Sequence, residues 1–167
     1  WYDRNSSTGD LVFKGLLTDG QNGINGLQNS RTLLLSKNDT HLYVLGYGDN
    51  AVSWFERNSS TGELTSGGLV ENGQNGVDGI NGPGSIVLSE NGDFAYITGL
   101  SQNSVAWFER NQTSGALNYL GMLNDNTQGV DGLDEPHDIA LTKNGLFAYI
   151  LGSTDDSISL FTRDSDT

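Results

Sequence analysis

Apolar and polar positions alternate with period two in short stretches, each closed by a cluster of Asn, Ser, Thr, Asp or Gly. In the best-defined part of the chain, Ala51-Val52-Ser53-Trp54-Phe55-Glu56-Arg57 reads as a strand rich in large apolar and aromatic residues. Asn58-Ser59-Ser60-Thr61-Gly62 breaks it, and residues 63–70 form a weaker strand. A Gly/Asn loop over 71–82 follows. Ser85-Ile86-Val87-Leu88-Ser89 is a nearly continuous apolar run, the pattern of a strand buried on both faces. Asn91-Gly92, like Asn38-Asp39 and Asn144-Gly145, reads as a two-residue hairpin turn leading into Phe94-Ala95-Tyr96-Ile97-Thr98. No window shows helical periodicity, so the chain is all-β.

The whole unit recurs. Trp1-Tyr2-Asp3-Arg4-Asn5 returns as Trp54-Phe55-Glu56-Arg57-Asn58 and as Trp107-Phe108-Glu109-Arg110-Asn111, and Leu160-Phe161-Thr162-Arg163-Asp164 opens a further copy. The period is about 53 residues, and four antiparallel strands per period describe one blade of a β-propeller. The repeats run 1–53, 54–106 and 107–159, with the start of a fourth at 160–167. The Ile86 run is the expected innermost strand, and Trp1, Trp54 and Trp107 are expected to pack between neighbouring blades. A stacked β-solenoid is the alternative architecture. About three blades do not close a ring, which needs roughly four or more. The segment is therefore expected to belong to a six- or seven-bladed propeller of roughly 320–370 residues, with association of several copies as the alternative.

The stretch Ser85–Gly99, then Asn103-Ser104-Val105-Ala106-Trp107-Phe108-Glu109-Arg110, then Ser114-Gly115-Ala116-Leu117, resembles the lactonase-like propellers. These include the 6-phosphogluconolactonase-type and YVTN-type repeats. Gln128-Gly129-Val130-Asp131-Gly132-Leu133 resembles a loop common in bacterial members. The resemblance spans the chain and implies a propeller fold. It speaks less to activity, because one scaffold hosts enzymes and binders alike. Where the second repeat has Asn81-Gly82-Pro83-Gly84-Ser85, the third has Asp134-Glu135-Pro136-His137-Asp138. This Pro-His stretch resembles the channel-facing segment of lactonase-type enzymes, which implies His137 as general base or ligand with Glu135 and Asp138 beside it. Arg31 is the only loop arginine entering an inner strand. His41 sits beside a hairpin turn, aligned with Asp93 and Leu146, and is expected to be exposed and inert.

Charge narrows the partners. The chain has 21 acidic and 8 basic residues and a formal net charge of −13, which repels phosphate and excludes nucleic acid as a partner. It has no Cys, which excludes disulfides, zinc–thiolate sites and thiol catalysis. No apolar run reaches the length of a membrane span, and no signal peptide is evident. The chain opens on Trp inside a repeat, as expected of a piece of something longer. An extracellular or cell-surface location is expected, with the periplasm as an alternative.

Strand order sorts the connections onto two faces. The Asn-Ser-Ser-Thr-Gly turns and the hairpin turns share one face, with the glycosylation sequons at Asn5, Asn38, Asn58 and Asn111. Good turn chemistry is the alternative reason for those Asn residues. The long Gly/Asn/Asp loops occupy the other face, where surplus length on a rigid scaffold suits binding. Asp19, Asp78, Asp125, Asp131, Asp134 and Asp138 supply oxygen ligands there, and Asp78, Asp131 and Asp134 are the candidate ligands for Ca²⁺. No other cofactor is indicated. The residues together suggest a non-catalytic propeller module of an exported or cell-surface protein, binding a protein, glycan or cation through its loop face. The alternative is a lactone hydrolase.

Overall fold

The alternating segments fold as antiparallel strands throughout. A computed structural model describes residues 1–163; Asp164, which ends the last copy of the repeated motif, and residues 165–167 of the expected fourth repeat lie outside the described residues. Strands β1 (Tyr2–Arg4) and β2 (Leu11–Phe13) pair as a two-stranded sheet. Strands β3 (Ser30–Leu35), β4 (His41–Gly46), β5 (Ala51–Arg57) and β6 (Leu64–Glu71) form one four-stranded sheet in sequence order. Strands β7 (Pro83–Leu88), β8 (Phe94–Gly99), β9 (Ser104–Arg110) and β10 (Leu117–Asn124) form a second, and β11 (Pro136–Leu141), β12 (Phe147–Gly152) and β13 (Ser157–Thr162) a three-stranded third. Helix is confined to one 3-10 turn at Leu100–Gln102 among the described residues. These are two complete blades flanked by two partial ones of a larger propeller.

Strands β3, β7 and β11 lie side by side and are the innermost strands. They are less buried than a continuous apolar run suggests. Leu33 is 65% exposed, and Val87 and Leu88 are half-buried. The reason is position: an innermost strand edges the channel, and β3 has a neighbouring blade only on its β7 side. The hairpin turns also differ from expectation. Ser89 N–H donates to the Phe94 carbonyl and Gly92 N–H to the Ser89 carbonyl, so residues 90–93 form a four-residue loop. Only Gly92 takes positive φ there (79°), whereas a two-residue type I′ turn needs it at both central positions.

The core sits between blades. Tyr43, Leu45, Val52 and Trp54 of the first complete blade pack with Ile86, Ala95, Ile97, Ala106, Phe108 and Leu117 of the second. Val105 of the second packs with Ile139 and Ile150 of the third. Trp54 lies against Gly67 and Gly68 of its own sheet, where β6 bulges, and beside Gly115 of the next blade. This is the expected inter-blade placement. Close approach is also made by glycine at a repeated position. Gly46, Gly99 and Gly152 face the backbone carbonyls of Gly26, Gly79 and Gly132, where the long loop crosses the strand end. A Cβ on Gly99 would meet the Gly79 oxygen at 2.5 Å and Ser104 Oγ at 2.8 Å. The loop cannot retreat easily, because Ile80 beside it is fully buried. Gly99→Ala is therefore expected to destabilise the fold by about 2 kcal/mol in urea unfolding, as overpacking does; an unchanged midpoint would contradict it.

A polar clasp joins successive blades. Arg110 is 4% exposed and has no carboxylate partner among the described residues. Its Nε donates to the Tyr43 hydroxyl (2.5 Å), Nη1 to the Gly92 carbonyl (3.0 Å), and Nη2 to His41 Nδ1 (3.1 Å). The Tyr43 hydroxyl donates to the Gly115 carbonyl (2.7 Å), and burial raises the Tyr43 pKa. One period on, Arg163 Nε donates to the Tyr96 hydroxyl and Nη1 to the Gly145 carbonyl (3.1 Å). His41 is thus 2% exposed, not a surface residue. Its true equivalents lie one position beyond the expected ones: β4, β8 and β12 start at His41, Phe94 and Phe147, so the histidine replaces a half-buried aromatic.

Candidate functional site

The inner strands are tied together at one repeated position. Thr32, Ser85 and Asp138 are equivalent residues of β3, β7 and β11. Thr32 Oγ1 donates to the Gly84 carbonyl (2.7 Å), and Ser85 Oγ donates to Asp138 Oδ1 (2.7 Å). Asp138 Oδ1 also accepts the Ile139 N–H (2.9 Å). Asp138 is therefore committed to the joint between the second and third blades, which fits a positioning role better than proton transfer.

The residue before each of these tells a different story. Arg31, Gly84 and His137 are the equivalents at the loop-face entrance of the inner strands. The Arg31 guanidinium stacks on the Tyr47 ring at 3.6 Å from its centroid. The Tyr47 hydroxyl lies 3.3 Å from Ser101 Oγ, in the next blade. At Gly84 the entrance is filled by Leu100, so no side chain fits. His137 is exposed and its side chain makes no hydrogen bond within the described residues, leaving both ring nitrogens available. Glu135 precedes it in the left-handed region (φ 49°), its N–H bonded to Asn103 Oδ1 and its Oε2 accepting from Thr154 Oγ1 at 3.1 Å. The carboxylate is thus held toward the β12–β13 turn.

Chemically, the entrance offers a free imidazole, a fixed carboxylate and, two inner strands away, a guanidinium on an aromatic plate. An imidazole of this kind can accept a proton from water, and a guanidinium can stabilise a developing oxyanion. Tyr47 and Ser101 escape sequence reasoning; their only signal is a place in the short turns after β4 and β8.

The acidic residues converge differently from the expected ligand set. Asp131 lies with Asp125 and Asp155, their oxygens within 4.8 Å of one another, an arrangement of hard oxygen donors able to hold a cation. Asp78 instead accepts the Gln102 side-chain amide (2.7 Å), and Asp134 accepts the Asn103 amide (2.6 Å). Gln102 and Asp155 are equivalent positions. The second blade thus supplies an amide donor where the third supplies a third carboxylate. In the sequence Asp155 is only one of several acidic turn residues.

On the opposite face, Asn5, Asn38, Asn58 and Asn111 are all exposed. Asn5, Asn58 and Asn111 each accept two backbone N–H groups of their own turn, as at Asn58 from Ser60 (2.9 Å) and Thr61 (3.1 Å). That is the turn chemistry these residues are selected for.

Comparison with known proteins bears on the whole segment. Residues 22–167 match the family model described as lactonase, 7-bladed β-propeller. The periplasmic gluconolactonase of Pseudomonas aeruginosa superposes with a TM-score of 0.69 at 22% identity, over 83% of this chain and 36% of its own. A protein from Lactobacillus plantarum superposes with a TM-score of 0.79 at 24% identity, over 99% of this chain and 45% of its own. An auxiliary nutrient binding protein from Bacteroides ovatus gives 0.65 at 13% identity, over 98% and 43%. At these identities the likeness is one of fold, and the chain spans less than half the length of each structure. No curated protein matches the chain by sequence.

Proposed function

Because this chain belongs to the lactonase family of seven-bladed β-propellers, we propose that the propeller of which it is part hydrolyses a sugar lactone. The observation that carries this reading is the family match, which spans residues 22–167 and so includes the channel-mouth segment around His137. It supports the enzyme over the non-catalytic binding module. In the proposed step, water adds to the lactone carbonyl while His137 takes its proton. The ring ester C–O bond then breaks, the ring oxygen receives the proton, and a hydroxy acid leaves. Arg31 is the group suited to stabilise the oxyanion, and Glu135 is the fixed carboxylate beside the base.

Substrate class follows the gluconolactonase among the structural neighbours. Its periplasmic location supports placing this protein outside the cytoplasm, and no helix among the described residues is long and apolar enough to cross a membrane. Further blades are the proposed cover for Tyr149, Leu151, Ile158 and Leu160, which are 43–69% exposed on the third sheet. Their equivalents Tyr43, Leu45, Val52 and Trp54 are buried by the next blade.

The test is hydrolysis of glucono-1,5-lactone followed by acid release, with the full-length propeller against buffer alone. Saturable turnover above the spontaneous rate is expected. Buffer-level rates across a panel of sugar lactones would overturn the reading.

A further inference from the structure

The clasp between the two complete blades has one member that its sister lacks. At the position of His41 the next two blades carry Phe94 and Phe147, so Arg163 grips Tyr96 with the Phe94 ring, 5.1 Å away, where the first clasp has an imidazole. Around His41 the geometry fixes the ring's state. Arginine has only donors, so the Arg110 Nη2 contact to Nδ1 at 3.1 Å requires Nδ1 to accept, and the ring is the neutral tautomer protonated on Nε2. Thr40 Oγ1 lies 2.9 Å from the same Nδ1. The ring is walled in: a Cβ on Gly115 would meet its Cδ2 at 2.5 Å.

The charges on the elements around it leave little to balance a second cation. Arg110 on β9 is the facing charge. Glu56 lies opposite on β5 and is exposed to solvent. Arg57 next to it turns its Nη1 to the Asp39 carbonyl (3.2 Å) in the β3–β4 hairpin. Asp93, in the hairpin before β8, accepts the Gln112 amide (2.5 Å) and the Asn91 amide (2.8 Å). Glu109 is exposed next to Arg110 on β9, and Tyr43 is held by Arg110.

We propose that His41 makes this one blade–blade joint acid-labile: protonation of its ring deletes the acceptor for Arg110, sets two cations in one buried site, and releases the clasp. Burial, then the Arg110 charge, holds the His41 pKa below its ordinary value near 6.5, while Glu56 and the Thr113 backbone oppose that shift more weakly. The sign follows. The open state binds the proton more readily, so the joint is fully closed above about pH 6.5 and weakens as pH falls below it. One linked proton allows the opening constant to rise by at most about tenfold per pH unit.

The experiment is amide hydrogen exchange on the full-length protein at pH 7.5 and pH 5.5, expressed as protection factors so that intrinsic exchange cancels. Protection at Arg110 and Gly115 should fall several-fold more at pH 5.5 than protection at Arg163, which belongs to the sister clasp. In His41→Phe, which installs the residue of the other blades, that extra loss should vanish. An equal loss in His41→Phe, or equal behaviour of the two clasps in the parent, would overturn the proposal. Should that variant not fold, NMR titration of His41 in the parent decides. A ring that protonates at its ordinary value while the Arg110 amide stays protected would be fatal to the idea.

Discussion

His137→Ala is expected to lower kcat/KM for glucono-1,5-lactone hydrolysis by about 10²–10⁴-fold, the usual worth of a positioned general base. The argument is one of availability. Of the two histidines in the chain, His41 has its Nδ1 bound in the clasp and is 2% exposed. His137 is exposed at the entrance of an innermost strand, and its side chain makes no hydrogen bond within the described residues. Its loss should leave the fold intact, because nothing packs through it. The measurement is steady-state kinetics with a matched melting curve. A stable His137→Ala protein that keeps parental kcat/KM would remove His137 from the mechanism and leave the family assignment untouched. His137→Gln, which keeps a hydrogen-bonding side chain but cannot accept a proton in this range, should be nearly as inactive. Rescue by glutamine would mean that the side chain orients substrate.

Arg110→Ala is expected to cost about 3 kcal/mol of stability, the largest effect of any polar substitution discussed for this chain. The guanidinium is buried and makes three hydrogen bonds, to Tyr43, Gly92 and His41. Truncation strands the Gly92 carbonyl and the His41 lone pair and leaves a void over the Tyr43 ring. Arg110→Lys should recover little, because one ammonium cannot span three acceptors held in a fork. Arg163→Ala should cost less, since Arg163 is only partly buried in the described structure. Urea unfolding of the three variants checks the order. A loss at Arg110 no larger than about 1 kcal/mol would mean that the clasp is a surface ornament and that apolar packing alone holds the blades.

Much of this protein is legible in its residues alone. Alternation, turn clusters and the recurrence of the aromatic-x-x-Arg motif determine an all-β chain of four-stranded blades, two complete and two partial, with turns sorted to two faces. These are short-range properties: side-chain alternation sets a strand, and Asn, Gly and Asp set the turn that ends it. The Pro136-His137 departure from the repeat is equally visible, because it is a difference between copies.

Residue environments are not legible in this way, because they are decided between blades. Tyr43 and Arg110 stand 67 positions apart and meet only when one blade lies against the next. His41 is buried where exposure is expected because the 53-residue period pairs it with Phe94 and Phe147, not with Asp93 and Leu146, and in a strand a one-residue offset exchanges the inward and outward faces. The convergence of Asp125, Asp131 and Asp155, rather than Asp78 and Asp134, depends on which amides of neighbouring turns reach each carboxylate first. The blade can be read from the residues, since a blade is made of local choices. What each blade presses against emerges on folding, since that depends on packing between segments a full repeat apart.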